Sequence, residues 1–244
     1  MKTIKLMPLV GLPLVERGSK IANLIMGYCE RNNVFLQDND IFVIAQKIIS
    51  KAEGAVVDLK TITPTVKASR IAKKTGRDPR LVQVYLNEAS ELLYIKGRMV
   101  ITRHRLGFIM SSSGVDRSNI APHSREVVVL LPKNPDLSAR RIKNSLKRLS
   151  GKNVAVIIND SCGRKDRDGS VGMAIGIAGI SALEIRSQSD LYSNLSQSRI
   201  ALIDEMAAAG SILMGQANEG VPVVLIRGAV YSKSNKSKIT NILF

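Results

Sequence analysis

The sequence predicts an α/β protein built on a mixed sheet, in a mixed α+β arrangement. Three observations predict it. Short apolar runs rich in Val and Ile, at 41–45, 154–160 and 222–226, read as buried strands. Amphipathic helical segments fall between them without a strict strand–helix–strand rhythm. No repeat or low-complexity linker divides the chain, so residues 1–230 read as one domain, with room for two sublobes, and 231–244 as a polar, mobile tail.

Composition narrows the function classes. The 244 residues are 45% hydrophobic, enough for a full core, but only 4% aromatic and without Trp. The core must therefore be aliphatic. The formal net charge of +16 attracts polyanions: nucleic acid, acidic membrane surfaces or phosphorylated small molecules. Cys29 and Cys162 lie too far apart for a metal or redox motif and point to a reducing interior. With only His104 and His123, a His-rich metal site or a His-dependent triad is a poor fit. The opening Met1-Lys-Thr-Ile-Lys5 leads into a proline-broken apolar run, unlike a signal peptide. No apolar run reaches 18 residues, and the uncharged stretch 171–183 is short and glycine-rich. A cytoplasmic protein without membrane contact is expected.

In chain order, 6–10 is a strand leading into the Gly11-Leu-Pro-Leu14 turn. Ser19 then caps a helix carrying Ile21, Leu24, Ile25 and Tyr28 on one face. After the strand at 41–45, Ser50-Lys-Ala-Glu-Gly54 reads as a turn. Its Lys51 is either a phosphate contact or a solvated surface lysine. Residues 66–76 form a basic amphipathic helix. Asp78 and Pro79 open another, marked by Leu81, Val84, Tyr85, Glu88 and Leu92. Strands follow at 98–102, 107–110 and 126–131. Asp136 caps a helix with Ile142, Leu146 and Leu149 inward and five basic residues around it. A helix at 198–214, with Ile200, Ile203, Ala207 and Ile212 inward, stops at Gly215 before the last strand.

Two segments place a carboxylate just after an apolar strand. One is Asp160-Ser-Cys-Gly-Arg164, with Arg167 and Gly169 beyond it; the other is Gly114-Val-Asp-Arg-Ser-Asn119. Ligands of open α/β sheets gather at strand ends. Carboxylates there can hold a hard cation, and arginines can hold phosphate or carboxylate oxygens. Each segment taken alone could equally be an ordinary surface turn. No Walker A or GxGxxG pattern is present, so a nucleotide site would need another design.

Taken together, Gly11-Leu-Pro-Leu14, Ser50-Lys-Ala-Glu-Gly54, Gly114-Val-Asp-Arg-Ser-Asn119, Asp160-Ser-Cys-Gly-Arg164, Ala174-Ile-Gly-Ile-Ala-Gly179, Asp204-Glu205, Met214-Gly215 and Pro222 with Arg227-Gly228 resemble, in that order, the coenzyme F420-0:L-glutamate ligase family. The resemblance runs from about residue 8 to 230. It implies a gamma-glutamyl ligase-like fold, an intertwined homodimer and a GTP-dependent amide ligase. Such an enzyme adds L-glutamate to the deazaflavin F420-0, then to F420-1, through an acyl phosphate, releasing GDP and phosphate. It implies Mg²⁺ or Mn²⁺ at two sites, with K⁺ as an activator. By position, Gly11, Leu12, Pro13, Leu14, Gln46, Lys47, Lys51, Asn119 and the turn Gly215, Gln216, Ala217, Asn218, Glu219, Gly220 and Val221 would line the nucleotide. Asp116 and Asp160 would hold one metal, with Ser161 and Gln216 at the second. Asp116, Asp160 and Arg164 would form the catalytic set, since phosphoryl transfer needs cations and placed positive charge more than a protein nucleophile.

The chain departs from the family pattern in places. Gln216 stands where Glu is usual, which removes a charge from the second metal site. Ser161 replaces Thr and Ser112 replaces Asn; Asp166 stands where an aromatic is common. Asp190-Leu-Tyr-Ser-Asn194 replaces a run ending in Gly-Arg. Alternative readings are therefore a ligase of the same mechanism with another anionic acceptor, a degenerate paralogue, or a basic protein binding nucleic acid through 66–76 and 136–149. The shortage of aromatics for base stacking weighs against the last.

Overall fold

A computed structural model describes residues 3–118, 120, 126–164, 167–189 and 191–243. In chain order the elements are β1 (Lys5–Pro8), α1 (Ile21–Arg31), β2 (Ile41–Ala45), α2 (Gln46–Glu53), β3 (Val56–Asp58), α3 (Val66–Thr75), α4 (Pro79–Glu88), β4 (Ala89–Lys96), β5 (Met99–His104) and β6 (Ile109–Ser111). Then follow β7 (Val127–Val129), α5 (Pro135–Ser150), β8 (Ala155–Arg164), β9 (Arg167–Ala178), β10 (Glu184–Ser189), β11 (Leu195–Ile200), α6 (Leu202–Met214) and β12 (Val223–Arg227).

The most apolar runs pair into a five-stranded sheet of order β1-β12-β2-β8-β9. Only β2 and β8 are parallel; the other neighbours are antiparallel. This is the mixed sheet the sequence predicts. Ile41, Phe42, Val43 and Ile44 are fully buried, as are Ala155, Val156, Ile157 and Ile158, so both faces of this pair are covered. A bulge in β9 sets the layers. Asn159 pairs with Ala174 but Ile158 with Gly176, so Ile175 is the extra residue and the pleat reverses. Gly172 therefore meets α6 at the Ala207 carbonyl, whereas Gly176 meets α5 at Pro135. The two helices cover opposite faces.

A second, smaller core gathers Leu59, Ala68, Ile71, Leu81, Val84, Tyr85, Val100 and Val128 beneath α3 and α4. It is flanked by the three-stranded sheet β4-β5-β6. The capping chemistry is local. Thr65 Oγ1 accepts from the Ala68 N–H at the start of α3, and Asp78 Oδ1 from the Arg80 N–H at α4.

Several boundaries differ from the sequence expectation. The turn at Ser50-Lys-Ala-Glu-Gly54 is the end of helix α2, because Ile49 and Ser50 are buried beneath it and Gly54, at φ 72°, closes it as a left-handed cap. The helix expected to run to Leu92 stops at Glu88, because Leu92 pairs with Thr102 in the β4–β5 ladder. Its spacing from Glu88 suits either structure. Ser198 and Ile200 belong to β11, so α6 starts at Leu202, and Ile212 is exposed rather than inward. Ser19 accepts a hydrogen bond from the Glu16 N–H instead of capping α1. The cap of α5 is Asn134, while Asp136 accepts from the N–H groups of Ile177 and Ile239. The polar tail is tied down: Ser232 bonds the buried Glu184 carboxylate, and Ser237 Oγ accepts from the Ala182 N–H. Among the described residues no helix is long and apolar enough to cross a membrane.

Arg227, at the end of β12, grips Asp40 with two hydrogen bonds of 2.8 and 2.7 Å and also donates to the Phe35 carbonyl. Asp40 is 1% exposed and further accepts from the Gln37 N–H. This pair locks β12 beside the turn that feeds β2. Arg227→Met strands a buried carboxylate and is expected to cost about 3 kcal/mol. Urea unfolding of the two proteins measures the loss; an unchanged midpoint would show that the pair holds nothing.

Candidate functional site

Strand β2 ends at Ala45, which pairs in parallel register with Asn159 of β8. Beyond that shared end lies an open cleft of about 1170 Å³. Four chain segments wall it: Leu12 to Leu14 after β1, the α2 residues Gln46, Lys47 and Lys51, the Ser111 to Ser118 region, and the turn after α6. Asn159, Asp160 and Ser161 reach it from β8. The cleft thus lies outside the carboxyl ends of the parallel pair, where α/β sheets commonly bind ligands.

The two carboxylates read from sequence come together here. Asp116 is presented by the smaller core, through paired backbone hydrogen bonds of 2.9 Å with Val129. Its Oδ2 lies 2.7 Å from the Lys47 ammonium, and its Oδ1 accepts from the N–H and hydroxyl of Ser118. Burial would raise the Asp116 carboxyl, but the Lys47 and Ser118 hydrogen bonds hold it below its usual range. Asp160 shows the opposite balance. Desolvation outweighs the Ser161 N–H, and the negative charge of Asp116 adds to it, so Asp160 is pushed up to about 7. Lys51 is lowered by burial and by the neighbouring Lys47, with partial compensation from Asp116.

The residues present fit a hard divalent cation. All donors are oxygen: two carboxylates, the Ser161 hydroxyl and the Gln216 amide. Asp160 is pushed toward neutrality by desolvation, to which the charge of Asp116 adds, so a cation arriving there would favour its charged form. Among the described residues no group of three or more His, Cys, Asp or Glu is assembled.

Most residues expected to line a nucleotide do line this cleft: Leu12, Pro13, Leu14, Gln46, Lys47, Lys51, Gly215, Gln216, Ala217, Asn218, Gly220 and Val221. Gly11 and Glu219 stand outside its lining; Glu219 instead accepts from the Ala217 N–H within the turn. Asn119 lies outside the described residues, as do Asp166 and Asp190. Arg164 is not brought to the carboxylates. Strand β8 does not end at Asp160 but continues four residues into the β8–β9 hairpin, roughly 13 Å at a strand's rise, and Arg164 Nη2 donates to the Asp168 carbonyl there.

The structure adds residues that the sequence reading passed over. Asn159 is buried at the cleft; its Nδ2 donates to Ser211 Oγ, and its Oδ1 has no hydrogen-bond partner among the described residues. A polar residue inside the apolar run before Asp160 was the available signal. Ser118 orders Asp116. Upstream, Ser112, Ser113 and Gly114 take successive positive φ values of 56°, 51° and 65°. The turn is held from behind by Ser113 Oγ, which donates to the Tyr85 carbonyl and lies 2.8 Å from Thr102 Oγ1. At the two serines such backbone strain costs on the order of 1–3 kcal/mol each, and it aims the Ser112 segment at the cleft.

The raised carboxyl of Asp160 has a thermodynamic signature. Folded protein holds this proton up to about pH 7, whereas the unfolded chain releases it near pH 4. Metal-free protein should therefore lose stability as pH rises from about 4 to about 7 and level off above. Asp136 and Asp204, also raised by burial, act in the same direction, so the difference between proteins isolates the site. Asp160→Asn should flatten that limb and be more stable than the parent at pH 8. Urea unfolding in chelator from pH 5 to pH 8 reads it; parallel curves for the two proteins would contradict the assignment.

Comparison with known proteins supplies the family. The family described as F420-0:Gamma-glutamyl ligase matches residues 10–228. The chain is 42% identical over 227 residues to the coenzyme F420:L-glutamate ligase of Methanothermobacter thermautotrophicus, covering 92% of this chain and 89% of that protein. It is 44% identical over 222 residues to the enzyme of that name from Methanocaldococcus jannaschii, covering 89% and 85%. For the one from Methanopyrus kandleri the identity is 40% over 228 residues, covering 93% and 87%. With the mixed sheet and the strand-end cleft already in place, these matches bear out the sequence-based resemblance: the chain belongs to the F420-0:gamma-glutamyl ligase family, ligases that form a carbon–nitrogen bond.

Proposed function

We propose that this chain is a GTP-dependent amide ligase that joins L-glutamate to coenzyme F420-0, and then to F420-1, through an acyl phosphate. The observation that carries the reading is the meeting of Asp116 and Asp160 beside Lys47 and Lys51 in one large cleft. Each expected participant is an anion, and the cleft offers two ammonium groups and an oxygen-donor set in the same place.

The cleft lining supports a division of labour. The Leu12 to Leu14 loop, the start of α2 and the Gly215 to Val221 turn line the space that a nucleotide would take. Lys47 and Lys51 offset its phosphate charge. Burial and the neighbouring Lys47 lower the affinity of Lys51 for its proton, and a phosphate placed beside it would raise that affinity. Asp116, Asp160, Ser161 and Gln216 would hold Mg²⁺ or Mn²⁺, with two ions in the full arrangement and K⁺ as a possible further activator. A cation so held offsets the charge that develops as the γ-phosphoryl group moves. The acceptor carboxylate oxygen attacks the γ-phosphorus as the bond to GDP breaks. The glutamate amine then attacks the acyl carbon, loses a proton and expels inorganic phosphate. Gln216, an amide where its family has a carboxylate, would weaken the second cation position without removing an oxygen donor.

The homodimer belongs to the same proposal. Strands β10 and β11 form a two-stranded sheet of their own, and the apolar side chains Ile185 and Leu195 on its strands, with Leu191 and Tyr192 in the connecting turn, are 55% to 99% exposed. An arm of that kind is suited to cover a second copy of the chain.

Incubation with GTP, Mn²⁺, L-glutamate and F420-0 should yield a product heavier by one or two glutamates, together with GDP. Asp160→Ala should lower the rate by about 100-fold or more while leaving the protein folded. Mass spectrometry reads both results. Undiminished turnover in the variant would remove Asp160 from the site, and no turnover in the parent with F420-0 but rapid turnover with another carboxylate would move the proposal to a different acceptor.

A further inference from the structure

The cleft does not explain the charge of this protein. A net +16 exceeds what three small anionic substrates call for, and most of the basic residues lie elsewhere. Two of them, Arg140 and Lys143, line a pocket of their own.

The pocket has a volume of about 250 Å³ and lies between α5, the end of β9 and the C-terminal segment. Arg140, Lys143 and Asn144 enter from α5; Ser234, Asn235 and Ser237 close the other side. None of its lining residues lines the cleft. It sits at the opposite end of β9, because Ala178 pairs with Val156 while Met173 pairs with Asp160. That separation is roughly 15 Å along the strand.

Its polar groups are arranged to donate. Lys143 Nζ bonds Asn235 Oδ1, which leaves the Asn235 amide nitrogen for a ligand. Ser234 Oγ already accepts from the N–H groups of Lys236 and Ser237, and Ser237 Oγ accepts from the Ala182 N–H. A hydroxyl whose oxygen is engaged this way still has its proton to give. No carboxylate lines the pocket. The nearest acid on the helix, Asp136, is turned to the backbone N–H groups of Ile177 and Ile239. The Lys143 stem is fixed as well, because it crosses Gly179, where an added Cβ would meet Lys143 Cε at 2.7 Å. Burial, with Lys147 and Arg140 close by, disfavours the Lys143 charge, so an arriving anion would relieve it.

We infer that this pocket is a second anion site, built for a small oxyanion of the phosphate or phosphate-monoester class. Cations with hydroxyl and amide donors, and no carboxylate among the described lining residues, suit tetrahedral oxygens. The volume of about 250 Å³ matches a small oxyanion.

Inorganic phosphate is the probe, titrated into the full chain at constant ionic strength and followed by amide NMR. The expected result is a saturable shift of the Gly179, Asn235 and Ser237 amides. Replacement of both cations, Arg140→Met with Lys143→Met, should weaken that binding by about 10-fold or more. The methionines keep the aliphatic stems, and melting curves verify folding; should the pair fail to fold, Arg140→Met alone, at an exposed position, should move affinity the same way. Lys51→Met, in the cleft, should leave these shifts unchanged. The inference is overturned if phosphate moves only cleft amides, if the pocket variants bind as the parent does, or if a short DNA duplex but not phosphate produces the shifts.

Discussion

The parallel pairing of β2 with β8 is the constraint on which the rest depends. Registering Ala45 against Asn159 brings two chain exits to one edge of the sheet. One exit becomes α2 and delivers Gln46, Lys47 and Lys51; the other continues into Asp160 and Ser161. A slip of one residue would turn Asp160 to the opposite face and close Asn159 away from Ser211. The aliphatic runs that specify this register are buried on both faces, so packing energy guards the geometry of the edge. The third contribution, Asp116, arrives from the smaller core. It is tied across to α2 by the Lys47 ion pair, which is only partly exposed and so is less screened than a surface pair.

The electrostatics of this edge are unbalanced in a useful way. Asp116 is satisfied by Lys47 and Ser118, whereas Asp160 is held partly protonated near neutral pH by desolvation and by its neighbour. Two carboxylates in adjoining environments, with shifts of opposite sign, mark a functional-site candidate. The strained Ser112 to Gly114 turn and the unpartnered Asn159 Oδ1 border the same space. Strain and unsatisfied polarity gathered beside the carboxylates agree with a site maintained for ligands.

Much of this was legible from residues. The buried strands announce themselves through β-branched runs, but a carboxylate after such a run is a weak signal by itself, so Asp116 and Asp160 could be named only through the ordered set of family motifs. Other elements carry little signal. Strand β9 is a run of small residues whose role is to let α5 and α6 approach, so its hydrophobic pattern is faint. Strands β10 and β11 are polar and pair only with each other. Helix α2 has just eight residues and holds both Lys51 and a terminal glycine, which on paper resembles a turn. Arg164 illustrates how one boundary error propagates: a strand taken to end at Asp160 leaves the arginine free to reach the site, and a strand four residues longer carries it away. The pairing of Asp116 with Lys47 was beyond sequence, since it joins two separately packed cores.

The central claim is that Asp116 and Asp160 jointly hold a divalent cation beneath a guanine nucleotide. Anomalous diffraction at the manganese edge, from crystals grown with Mn²⁺ and GDP, tests it most directly. The account predicts a peak within coordination distance of both carboxylates, at the carboxyl ends of β2 and β8, with the nucleotide phosphates beside Lys47 and Lys51. A nucleotide bound in the cleft with manganese touching neither carboxylate would contradict it.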